Sequence, residues 1–78
     1  MNPRLPRVTS AQVIRVLDKM GFVLTRQSGS HKIYKNAGGR RVTVSFHAGK
    51  ILHPKVLKSI LADAGLTVEV FEQLLKDR

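Results

Sequence analysis

Between residues 22 and 47 of this 78-residue chain, the apolar residues stop recurring every three to four positions and begin to alternate. The change is clearest from Arg41 to His47. There Val42, Val44 and Phe46 fall on one side, and Arg41, Thr43, Ser45 and His47 on the other. That is the pattern of a strand with one face in a core and one in water. Two further strand-forming stretches precede it, Phe22 to Gln27 and Ser30 to Lys35, parted by the turn signal Ser28-Gly29. In the second of them His31, Ile33 and Lys35 share one face, and Lys32 and Tyr34 the other. Asn36-Ala37-Gly38-Gly39 is a plain loop before the third. Three strands in a row with short turns make an antiparallel meander.

Helical periodicity brackets this meander. Thr9 and Gln12 have capping-box spacing, and Val13, Ile14, Leu17 and Met20 follow as one apolar stripe that Gly21 is placed to end. After the strands, His53 precedes Pro54, and Leu57, Ile60, Leu61 and Ala64 form a second stripe closed by Gly65. Thr67 opens a last helix with Val70, Phe71, Leu74 and Leu75 as its apolar side. The expected architecture is α+β, in the order α-β-β-β-α-α, with helices covering one face of a three-stranded sheet. A single domain spans 1–78, with an extended lead-in over 1–8 that holds Pro3 and Pro6, and a C-terminal helix within 66–78.

Composition narrows the function. A chain this short holds one small core, so a large enzyme with a deep cleft between domains is excluded. With 42% apolar residues it is not a disordered tail, and with no cysteine it has no disulfide, thiolate metal site or cysteine nucleophile. No apolar run approaches the roughly 20 residues of a spanning helix. Arg15, Asp18 and Lys19 interrupt the region where a secretory signal would need its apolar stretch, so a cytoplasmic setting is expected. The formal charge is +9 and uneven: residues 1–58 carry twelve bases and one acid, Asp18, whereas residues 59–78 carry four acids and two bases. The basic body calls for a polyanion, most simply nucleic acid.

The candidate catalytic residue is His31, in Arg26-Gln27-Ser28-Gly29-Ser30-His31-Lys32. Imidazole titrates near neutral pH and can take a proton from a ribose 2′-hydroxyl or give one to a leaving oxygen. Arg26, Lys32, Lys35 and the backbone around Gly29 can supply positive charge or N–H donors to a pentacoordinate phosphorane. No metal or other cofactor is needed for this. His47 and His53 are six residues apart but have no cysteine to help, and the nearest downstream acid is Asp63, so no metal site is expected. His47 is instead a secondary candidate near the substrate, because its strand follows that of His31. Arg40, Arg41, Lys50, Lys55 and Lys58 cluster around the meander and the helix after it, suited to phosphate and 2′-hydroxyl contacts. Phe22, Phe46 and Phe71 fall on expected core faces, which argues against a sheet that stacks unpaired bases.

These residues resemble a known family. Leu5-Pro6-Arg7-Val8-Thr9, Gly21-Phe22, the run Arg26-Gln27-Ser28-Gly29-Ser30-His31, Val42-Thr43-Val44, His47-Ala48-Gly49-Lys50, Ile60-Leu61 and Ala64-Gly65-Leu66 look like the HicA (YcfA-like) toxins of HicAB toxin–antitoxin systems. The resemblance covers nearly the whole chain, and its most specific element is Gly-Ser-His. It implies a fold like the double-stranded-RNA-binding domain and an mRNA interferase whose essential residue is His31. It also implies a cognate HicB-type antitoxin that covers or approaches that histidine. Arg26, Gln27, Gly29, Ser30, Lys32, Lys35, Arg40, Arg41, Lys50 and Lys55 are the expected RNA contacts. One departure is Ser45-Phe46-His47, where many such chains carry proline two residues before the histidine; the strand end is expected to differ there. Two other functions fit the residues alone: an RNA-binding module of the same fold without catalysis, and a protein-interaction domain whose charge serves an acidic partner.

Overall fold

The computed structural model describes residues 5–77, so Pro3 and the rest of the first half of the lead-in lie outside the described residues, as does Arg78. The order is α1 (Ser10–Lys19), β1 (Val23–Ser28), β2 (His31–Lys35), β3 (Arg41–Ser45), α2 (Pro54–Ala64) and α3 (Val68–Lys76). The strands form one antiparallel sheet in the order β1-β2-β3. This is the α+β arrangement expected from the periodicity, and it is consistent with a fold like the double-stranded-RNA-binding domain.

The helix ends follow the sequence signals. The Thr9 hydroxyl accepts from the Gln12 N–H, and the Gln12 side chain accepts in return from the Thr9 N–H, so the capping box is complete. Pro54 occupies the first turn of α2, and Gly65 ends it at a φ of 75°, in the left-handed region that a Cβ disfavours. Arg40 lies against Gly65 and donates from Nη1 to the Asp63 carbonyl at 3.2 Å. Its cation thus meets the negative end of α2. Lys19 does the same for α3, donating from Nζ to the carbonyls of Leu74 and Asp77.

The core sits between the helices and the covered face of the sheet. Val13, Val16 and Leu17 of α1, Leu57, Ile60, Leu61 and Ala64 of α2, and Phe71 of α3 meet Phe22, Tyr34, Val42 and Val44. Val16 joins the buried stripe although the spacing reading passed over it, while Ile14 and Met20 are only partly buried. Two assignments to the core are corrected. Val70 is 48% exposed, because α3 buries Phe71 and turns Val70 away. Phe46 is half-buried and outside the core, because β3 ends at Ser45 and the chain leaves the sheet there.

All six residues of β1 are exposed, since the helices pack against β3, Tyr34 is the buried residue of β2, and β1 lies at the far edge of the sheet. An extra residue, Thr25, bulges between the pairs Leu24–Tyr34 and Arg26–Ile33, and its hydroxyl donates to the Ile33 carbonyl at 3.1 Å. Strict alternation would place Phe22 and Arg26 on the same face. The bulge separates them: Phe22 enters the core, and Arg26 stays on the open face.

Tyr34 also yields a pH prediction. Burial, with the nearby Asp18 carboxylate adding to it, pushes the Tyr34 hydroxyl above its ordinary value near 10. A raised value in the folded state gives stability that is intact below the unfolded value and lost as pH rises through the folded one. Urea unfolding at pH 8 and pH 11 should therefore show a larger alkaline loss for the wild type than for Tyr34→Phe. Equal losses would remove Tyr34 from the account of alkaline unfolding.

Candidate active site

The site is built on the face of the sheet that the helices leave uncovered. Register places Ser28, His31 and Ser45 in one row across the three strands. Arg26, Ile33 and Thr43 form the next row, and Val23, Lys35 and Arg41 the third. Their alternates Tyr34, Val42 and Val44 are buried on the other side.

His31 begins β2 directly after a two-residue hairpin turn. Ser28 pairs with His31, leaving Gly29 and Ser30 as the turn, and Gly29 has a φ of 58°. Glycine at the first central position suits the twist of a hairpin. Two bonds hold the turn: Gln27 Nε2 donates to the Gly29 carbonyl at 3.2 Å, and the Phe46 N–H donates to the Ser30 carbonyl at 2.7 Å. His31 itself is exposed, with a serine hydroxyl on each side in its row. Arg26 lies diagonally across from it, a separation of about 7–8 Å between directly interacting rows that a long guanidinium side chain spans. Ser45 extends β3 alongside His31.

The expected contacts do not all share this face. Lys35 and Arg41 do, as cross-strand partners, but two rows from His31, so the expected place of Lys35 beside the phosphorane is corrected. Lys32 does not: it follows His31 and so lies on the opposite face, where its ammonium sits 4.3 Å from the centre of the Phe46 ring. Its expected place beside the phosphorane is therefore corrected. Arg40 is engaged at the end of α2, Lys50 is exposed in the loop after β3 with its N–H donating to the His47 carbonyl at 3.2 Å, and Lys55 is exposed in the first turn of α2. His53 caps α2, its Nδ1 accepting from the Lys55 N–H at 3.0 Å. His47 is exposed two residues past Ser45, at the same end of the sheet as His31, and its N–H donates to the buried Ser10 hydroxyl at 3.2 Å. Among the described residues no three histidines or acids gather as a metal site would require. Ser28 and Ser45 were missed as neighbours of His31, because pairing across strands depends on register, which spacing within one strand does not give.

The Lys32–Phe46 contact can be measured. A double-mutant cycle of Lys32→Met and Phe46→Leu, followed by urea denaturation, should give a coupling of about 0.5–1 kcal/mol. A coupling indistinguishable from zero would mean that the ammonium does not rest on the ring in solution.

The family described as "HicA toxin of bacterial toxin-antitoxin" matches residues 10–66, from the first residue of α1 to the residue after the Gly65 cap. The chain belongs to the HicA toxin family. No curated protein matches it. The HicA match includes the hairpin with His31, the whole sheet and α2, and stops short of α3. Membership makes this chain a toxin of a toxin–antitoxin pair and implies an antitoxin as its partner. No helix among the described residues is long and apolar enough to cross a membrane.

Proposed function

We propose that this HicA toxin is an endoribonuclease that cuts mRNA and so inhibits translation, with His31 as general acid/base. The observation that carries the reading is the exposed imidazole, fixed by a tight hairpin between two serine hydroxyls, with Arg26 diagonal to it on an uncovered sheet face. His31 takes the proton of a ribose 2′-hydroxyl. The 2′-oxygen then bonds to phosphorus, and the bond from phosphorus to the 5′-oxygen breaks. That oxygen receives a proton from the imidazolium of His31 or from His47. The products are a 2′,3′-cyclic phosphate and a 5′-hydroxyl. Arg26 offers charge to the phosphorane, and the Ser28 and Ser45 hydroxyls offer hydrogen bonds to its oxygens. The scheme uses side chains alone, so cleavage needs no metal. A HicB-type antitoxin that covers the His31 face would silence the enzyme.

The test is to incubate the pure protein with RNA in EDTA and identify the new ends. Cleavage with cyclic phosphate ends is expected. Loss of cleavage in EDTA, restored by a divalent metal, would overturn the metal-free scheme, and 3′-hydroxyl ends would overturn attack by the 2′-oxygen.

A further inference from the structure

The third row of the open face holds a pairing that folding alone disfavours. Lys35 and Arg41 are direct cross-strand partners, and like charges so placed repel. Arg26 borders the same shallow concavity of about 280 Å³, whose lining is completed by Thr25 and Ile33. No acid relieves this charge from within the sheet. All five acidic residues of the chain belong to α1, α2, α3 or the cap of α3. The concavity therefore gathers three cations with no acid among the residues that line it, and a bound anion would offset their repulsion.

The geometry points to a distal phosphate clamp: Lys35 and Arg41 hold a backbone phosphate of a single RNA strand that runs along β2 and presents another phosphate to His31. The position of the cut phosphate rests on the reading of His31 above; the clamp itself does not. Lys35 lies four positions after His31, about 13 Å along a strand. That distance is about four nucleotides of a stacked strand at roughly 3.4 Å each, and fewer if the strand is drawn out. The sheet is about 10 Å wide, room for one backbone. Apart from the imidazole of His31, the three rows contain no aromatic side chain on which a base could stack, so the clamp reads backbone and tolerates any sequence.

Binding tests this without cleavage. Full-length His31→Ala protein, with and without Lys35→Gln and Arg41→Gln, is titrated with labelled oligouridylates of increasing length. Circular dichroism checks that the exposed substitutions leave the fold unchanged. Affinity of the clamp-bearing protein should step up once the oligonucleotide is long enough to place phosphates about four nucleotide steps apart, at about five residues when stacked and fewer when drawn out. Removing both cations should abolish the step and flatten the slope of log K against log salt by about 1.4, which is roughly 25-fold in affinity at 0.1 M salt. Equal affinity and slope in the two proteins would overturn the clamp. Poly(glutamate) of matched charge that binds as tightly and is lost to the same extent would also overturn it, assigning the patch to an acidic polypeptide. If wild-type protein binds with the length step but never cuts, the reading of His31 falls and the clamp stands. If it cuts without any length step, the clamp falls and His31 stands.

Discussion

Replacing His31 by alanine should lower RNA cleavage by roughly 10²–10⁴-fold, the usual contribution of a positioned acid or base. The fold should survive the change. His31 is exposed, and its turn is held by bonds from Gln27 and the Phe46 backbone rather than by the imidazole. Surface substitutions of this kind usually shift stability by no more than about 0.5 kcal/mol. Loss of cleavage together with unchanged unfolding and unchanged RNA affinity would separate chemistry from folding and from binding. In cells, induction of the wild type without its antitoxin should arrest growth, and induction of His31→Ala should not. Cleavage by the variant at the wild-type rate would remove His31 from the mechanism.

The largest expected effect on stability lies outside the segment that matches the family. Phe71 of α3 is 0% exposed and heads the largest fully buried side chains, yet the match ends at residue 66. Phe71→Ala should cost about 3–5 kcal/mol, the range for deleting a buried phenyl ring. A domain of this size has roughly 4–12 kcal/mol to lose. The substitution should therefore lower the thermal midpoint by at least about 12 °C, or leave the chain largely unfolded. Val70→Ala, one residue earlier and 48% exposed, should change little. Thermal unfolding of both variants checks this. A small effect at Phe71 would mean that α3 is a detachable lid rather than part of the core.

Much of this fold is legible in the sequence because each element carries its own local signal. Thr9 with Gln12, Pro54, Gly65 and Thr67 mark helix ends by hydrogen-bonding chemistry that acts within a few residues. Val42 and Val44 declare the covered face by alternation. Long-range facts are not written locally. The bulge at Thr25, the rows that bring Ser28 and Ser45 to His31, and the docking of Arg40 on Gly65 all depend on partners distant in sequence. Phe46 misleads for the same reason: its place in the alternation suits the core, but the strand has ended before it. For the site, His31 stood out through its residue type and setting, whereas the separation of Lys32 and Arg40 from it emerged only from three dimensions.

The single extra residue at Thr25 lets the chain around β1 meet two separate obligations. Phe22, just before the strand, answers to the core, and the part from Arg26 to Ser28 answers to whatever lies on the open face. Substitutions in the second part can retune what the toxin grips without disturbing what holds it together. Deleting Thr25 would rejoin the two, so that any gain for one obligation is taken from the other.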